Sequence, residues 1–131
     1  MEVNQKDSLA VFTREIPIFR IFSEEKAREF YVDYLGFQVD WDHRFGPGLP
    51  LYLQISRDGL TLHLSEHHGD AVPGAGIYIE MTGLDSFFDE LKSKNYAYQR
   101  PEIQPTDWGT RIMTLTDPFG NRLRFNERIQ E

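Results

Sequence analysis

Few side chains in this sequence could do chemistry, and their types narrow the choice. There is no cysteine, which removes disulfides, zinc ribbons and thiol catalysis. There are four histidines, His43, His63, His67 and His68. His67 and His68 are neighbours in a Gly- and Pro-containing loop flanked by Glu66 and Asp70. Neighbours in sequence rarely ligate one ion together, so this reads as a solvated loop. His63 lies on the polar face of a strand-like stretch. It is a hydrogen-bond donor or base if that face lines a cavity, and a half-buried structural histidine if it does not. His43 either shares a face with Trp41 or is solvated. No Ser-His-Asp order, glycine-rich phosphate loop or paired-carboxylate spacing stands out, so no catalytic residue is assigned. What remains are aromatic π-faces, two of them tryptophans, and guanidinium groups. Grouped arginines suit a carboxylate or phosphate, unless Glu80, Asp107 and Glu127 neutralise them in place. Aromatic rings can hold a flat ligand, each stacked pair adding about 0.5–1.5 kcal/mol beyond burial.

Periodicity supplies the elements that must position these groups. Residues 14–22 are strand-like, with Ile16, Ile18 and Arg20 on one face and Pro17, Phe19 and Ile21 on the other. Ser23 can cap a helix, with Glu24 and Glu25 at its positive end. Ala27, Phe30, Tyr31, Tyr34 and Leu35 give that helix one buried face, and Gly36 ends it. Residues 37–45 form a strand closed by Gly46-Pro47-Gly48. Residues 51–56 and 60–66 form a hairpin around Arg57-Asp58-Gly59. After a loop, 76–81 is a strand. Leu84, Phe87, Phe88 and Leu91 mark a second amphipathic helix, capped by Thr82 or Asp85 and ending near Asn95. Residues 97–103 read as a strand. The last two strands flank Asp117-Pro118-Phe119-Gly120-Asn121, where Pro118 sets φ and Gly120 or Asn121 accepts a positive φ. Trp108-Gly109 stands just before this hairpin, at the mouth of whatever the sheet encloses. The order is βαβββ twice, at a period of roughly 60 residues, longer than most solenoid repeats.

The closing Trp108-Gly109, strand, Asp117-Pro118-Phe119-Gly120-Asn121 and final strand resemble the vicinal-oxygen-chelate superfamily, and within it the glyoxalase/bleomycin-resistance proteins. Phe30-Tyr31-Val32-Asp33-Tyr34-Leu35-Gly36-Phe37 is similar to that family's first helix and its Leu-Gly-Phe ending. The similarity runs from about Arg14 to Glu127. It implies an α+β fold in which two βαβββ modules form curved mixed sheets around a cavity. The expected division is one domain, 1–131, with an N-terminal arm (1–13), a first module (14–66), a linker (67–75) and a second module (76–127).

Metal-dependent relatives take His, Gln or Glu ligands from the first, fifth and eighth strands. Aligned on the two motifs, those positions fall at Ile16, Gly76 and Arg124. None suits a divalent cation, so neither metal nor cofactor is expected. Relatives lacking the ligands, the bleomycin-resistance proteins, sequester a cationic drug between aromatic rings in two grooves at a homodimer interface. Trp108 matches one of those aromatics, and Phe45 or Trp41 lies near the second. The expected ligand-binding set is therefore Trp108, Phe45, Trp41, His63, Tyr78, Arg20, Arg111 and Arg124. The expected function is metal-free sequestration of a planar or charged organic ligand, such as an antibiotic, by a homodimer. The alternatives are a divalent-metal glyoxalase or dioxygenase, and an accessory domain with a vestigial pocket.

The totals agree with this reading. At 131 residues, 40% hydrophobic and 14% aromatic, the chain can bury a core. No apolar run nears the roughly 20 residues that span a bilayer. No signal-peptide core opens the sequence. Together with the lack of cysteine, this suggests a cytoplasmic protein without a membrane partner. A net charge of −7 argues against nucleic acid as a partner.

Overall fold

The computed structural model describes residues 9–130; most of the expected N-terminal arm, residues 1–8, lies outside them. The element order is β1 (Ile18–Arg20), α1 (Glu24–Arg28) with a π-helical continuation (Glu29–Tyr34), β2 (Gln38–Arg44), β3 (Leu51–Arg57), β4 (Leu60–Ser65), β5 (Gly76–Glu80), α2 (Leu84–Lys94), β6 (Gln104–Pro105), β7 (Thr110–Thr116) and β8 (Arg122–Arg128). The strands form two curved four-stranded sheets, ordered β1-β4-β3-β2 and β5-β8-β7-β6. In each, the first strand runs parallel to the last and the other pairings are antiparallel. This is the α+β architecture of paired βαβββ units. No helix among the described residues is long and apolar enough to cross a membrane.

Alternation sorts each strand into a buried face and an open one. Phe19, Leu53, Ile55, Leu62 and Leu64 are buried under the first helix, which contributes Ala27, Phe30, Tyr31, Tyr34 and Leu35. In the second sheet Met113, Leu115, Leu123 and Phe125 are buried with Leu84, Phe87 and Leu91 of α2. Ser23 caps α1 through a 3.1 Å bond from the Lys26 amide. The helix then widens, Leu35 N reaching back to Phe30 O, before Gly36 (φ 78°) stops it. That φ is one that a side chain tolerates poorly.

Two expectations need correction. Residues 97–103 are not a strand. Ala97 and Tyr98 turn, and only Gln104–Pro105 pairs with β7. Pro101 has no N–H to give a ladder, and Tyr96 instead packs on Tyr34 at 4.6 Å between ring centroids. The cap of α2 is neither Thr82 nor Asp85. Gly83 holds the N-cap position with φ 79°, and Glu127, across the sheet, accepts from the amides of Gly83 (2.7 Å) and Leu84 (3.4 Å). A carboxylate from elsewhere in the fold thus satisfies the orphan N–H groups and faces the positive end of the helix.

On the helix side, Arg57 and Lys94 tie the two units together. Arg57 forms a bidentate pair with Glu90 of α2, both bonds 2.9 Å, and donates to Leu35 O at 2.7 Å. Lys94 donates to the carbonyls of Asp33 and Tyr34 at the end of the first helix. The open faces of both sheets are left free of helices.

Candidate ligand-binding site

Register places the open-face residues of the first sheet in rows. Ile18, His63, Gln54 and Trp41 form one row, and Arg20, Ser65, Tyr52 and His43 the next. Trp41 reaches this face only because the register shifts between Val39 and Trp41. Val39 opposes Ile55 on the core side, Asp40 is the extra residue, and Trp41 then opposes Gln54 on the open side. The Trp41 ring lies nearly parallel to Tyr52, 6.0 Å apart with an 8° interplanar angle, and meets His63 edge-on at 5.4 Å. Phe45 stands between His43 (4.5 Å) and His67 (5.5 Å), perpendicular to both. Trp41, His43, Phe45, Tyr52, His67 and Asp70 enclose a pocket of about 470 Å³. Trp41 and Phe45 keep 44% and 68% of their surface exposed, so their faces are available to a ligand. Inside the wall, Nε2 of His67 is buried with no hydrogen-bond partner among the described residues.

A polar chain runs beside these rings. The Asp40 carboxylate accepts from Gln54 Nε2, Ser56 Oγ and Gln38 Nε2, each at 3.0 Å. These bonds, led by Gln54 and Ser56, hold its pKa below the usual carboxylate range. With its amide nitrogen on Asp40, Gln54 turns its oxygen toward His63 Nε2 at 3.0 Å, so Nε2 carries the proton. His63 Nδ1 then accepts from the Tyr52 hydroxyl at 2.6 Å. Burial, and secondarily Arg14, push the His63 pKa down, which favours this neutral ring. His63 is therefore a hydrogen-bonded neighbour of the pocket-lining Tyr52 and Trp41 rather than part of the lining itself, and both its nitrogens are engaged.

The open face of the second sheet carries a ring pair of its own. Tyr78 opposes Arg124 on β8, which opposes Thr114 on β7. Trp108, in the turn before β7, donates from Nε1 to the Tyr78 hydroxyl at 3.2 Å. These two rings keep 63% and 50% of their surface exposed. The Arg124 guanidinium lies over Gly76, its Nη1 only 3.3 Å from where a Cβ would be. A side chain at position 76 would make this guanidinium shift by a few tenths of an ångström.

The three arginines do not meet on one face. Arg20 belongs to the first sheet, its guanidinium over the Phe22 ring at 4.5 Å. Arg111 points to the helix side, opposite Arg124. It grips both Asp85 oxygens (3.1 and 2.9 Å) and Glu127 (3.2 Å). Parity explains this: Arg111 pairs with Glu127, one residue out of phase with the open-face pairs Thr110–Arg128 and Ile112–Asn126. Sequence reading did not single out Tyr52, Asp40 or Gln54. Alternation with buried Leu53 and Ile55 places Tyr52 and Gln54 outside the core, but nothing local marks them as neighbours of Trp41.

The donor set does not fit a family-type metal. Among the described residues no three His, Cys, Asp or Glu side chains converge. Gly76 and Arg124, two of the positions aligned with ligands, sit together with the arginine's positive charge over the glycine. A second opening, a groove of about 950 Å³, runs between the lead-in to β1 (Arg14, Glu15, Pro17) and β5, over Phe37, Phe87 and Phe125.

A family model described as glyoxalase superfamily protein matches residues 2–131. No curated protein matches the chain. Among solved structures, a bleomycin-binding protein complexed with bleomycin is 21% identical, covering 89% of this chain and 99% of its own, with a TM-score of 0.66. A glyoxalase-related enzyme from Clostridium phytofermentans is 21% identical over 92% of this chain and 98% of its own, with a TM-score of 0.72. An antibiotic-binding protein from Streptomyces sp. CB03234 is 22% identical over 91% of this chain and 99% of its own, with a TM-score of 0.63. At these identities the likenesses bear on the fold.

Proposed function

The chain belongs to the glyoxalase superfamily, and within that frame we propose that it is a binding protein, working without a metal, that sequesters a flat organic ligand such as an antibiotic. The observation that carries this is the near-parallel stack of Trp41 on Tyr52, open to solvent above a pocket of about 470 Å³. An exposed tryptophan already stacked on a half-buried tyrosine presents its π-face with little ordering cost on binding. The ligand-type positions Ile16, Gly76 and Arg124 offer no metal donor, and both His63 nitrogens are held by neighbours. Two fold neighbours, described as bleomycin-binding and antibiotic-binding proteins, set a precedent for this use of the scaffold.

We also infer a homodimer whose ligand sites lie between subunits. Supporting this, β1 and β5 are both edge strands, and unpaired edges favour strand partners. The open faces of both sheets carry exposed rings that a facing subunit would turn into clamps.

The test is a titration of bleomycin and a panel of flat aromatic compounds, followed by tryptophan fluorescence and thermal melting. Saturable quenching with a raised Tm is expected. Trp41→Ala and Trp108→Ala are each expected to weaken binding about tenfold, the scale of losing one stacked ring. No response to any compound would favour a vestigial pocket. Stoichiometric metal in untreated protein, with turnover lost in chelator, would replace the binder with an enzyme. A monomer in sedimentation would remove the inter-subunit site.

A further inference from the structure

Strand β8 presents Arg122, Arg124 and Arg128 on the open face, since these alternate with buried Leu123 and Phe125. Each pairs in register with an uncharged residue: Arg122 with Gly76 and Thr116, Arg124 with Tyr78 and Thr114, Arg128 with Thr110. Ion pairs among the described residues engage Arg28, Arg44, Arg57 and Arg111, and none of these three. Among the described strand residues of that face the one carboxylate, Glu80, opposes Asn126 and forms no ion pair with them. In a chain of net charge −7, this face is locally cationic. Exposed Tyr78, bonded to Trp108, lies beside the middle arginine.

Resting on the ligand-binding reading above, we propose that this face selects aromatic ligands bearing an oxyanion of the carboxylate class. The ring lies against Tyr78 and Trp108, and the oxyanion takes charge-assisted hydrogen bonds from Arg124, with Arg122 next along the strand. Neighbouring strands are about 4.8 Å apart and alternate residues on a strand about 6.6 Å apart. The oxyanion therefore belongs directly on the ring or one short link away. A planar guanidinium lying along the strand can bind such a group bidentately. The selectivity is the reverse of that expected for a cationic drug.

The test uses three probes with one ring system: 2-naphthoate, 2-naphthamide and 2-naphthylmethylammonium, titrated at low ionic strength. Naphthoate is expected to bind about tenfold more tightly than the amide, with the ammonium weakest. Arg124→Gln is expected to abolish most of that preference while leaving amide binding within about twofold and the melting curve unchanged. Arg111→Gln, on the opposite face, is expected to leave the order intact. Equal binding of all three probes, tightest binding of the ammonium, or equal losses for every probe in Arg124→Gln would overturn the proposal and leave ring binding standing. Failure of all three to bind would remove both.

Discussion

The Tyr31 hydroxyl donates to Oδ2 of Asp117 at 2.7 Å, joining two buried residues 86 positions apart. Asp117 also accepts from the Phe119 and Asn121 amides, both at 2.8 Å, and from Asn121 Nδ2 at 2.9 Å. Asn121 in turn donates to Arg20 O at 2.9 Å. The Asp-Pro turn thus locks the last hairpin to the first helix and to β1. Burial, and then Asp117, push the Tyr31 pKa well up, so this phenol stays a donor. Asp117→Ala, which orphans several buried donors, is expected to cost about 3–5 kcal/mol, and Tyr31→Phe about 1–3 kcal/mol. Urea unfolding reads both, and a Tyr31→Phe midpoint equal to the parent's would show that the bond contributes nothing.

The Arg57–Glu90 pair gives stability with a definite pH dependence. Glu90's pKa lies below its ordinary 4.5, chiefly through the hydrogen bonds from Arg57. A depressed carboxylate stabilises the folded state fully above its unfolded value and loses that effect as pH falls through the folded value. Glu90→Gln is expected to cost about 1–2 kcal/mol at neutral pH and progressively less below pH 4.5. Melting curves of parent and variant should therefore converge in acid; parallel curves would contradict the assignment.

Arg111 and Arg124 should separate cleanly, because they occupy opposite faces of one sheet. Arg111→Ala breaks surface pairs and is expected to lower stability by about 0.5–1 kcal/mol. Glu127→Gln weakens the distant cap of α2 and is expected to cost about 0.5–2 kcal/mol. Neither is expected to change ligand affinity more than about twofold, since a single surface ion pair is worth little. Thermal melting and a binding titration on the same samples check this, and a large affinity loss in Arg111→Ala would place the site on the helix side.

His63 offers a test by nuclear magnetic resonance. Its ring is expected to be the neutral Nε2–H tautomer, with a titration midpoint below its ordinary 6.5. As pH falls below 6.5 the unfolded chain takes the proton first, so the stability tied to neutral His63 is complete above that value and declines below it. His63→Gln is expected to flatten that decline. An Nδ1–H tautomer, or a midpoint above 6.5, would break the chain running from Tyr52 to Asp40.

Much of this protein was readable from one dimension, and each failure has a physical cause. Hydrophobic period, the Ser23 cap and the Gly36 stop determined the first helix, because those signals act within one or two turns. The two βαβββ units, the buried faces of β4 and β8, and the resemblance to glyoxalase and bleomycin-resistance proteins were legible for the same reason. Residues 97–103 (Ala97-Tyr98-Gln99-Arg100-Pro101-Glu102-Ile103) do not alternate, and the strand expected there fails because Pro101 lacks the N–H a ladder needs and Tyr96 docks on Tyr34. The cap of α2 was hidden because its carboxylate, Glu127, comes from 44 residues away in sequence.

The sequence by itself determined which residue types were available for binding: two tryptophans, no thiol, and no metal donor at the aligned positions. Only the tertiary structure decided which way they face. A single bulge at Asp40 moves Trp41 from the core side, where strict alternation with Val39 would put it, to the open side over Tyr52. One residue of parity likewise sends Arg111 to the helices and Arg124 to the open face. Strand side chains alternate with a period of two, so a one-residue shift, which leaves composition and propensity unchanged, reverses the face of everything beyond it.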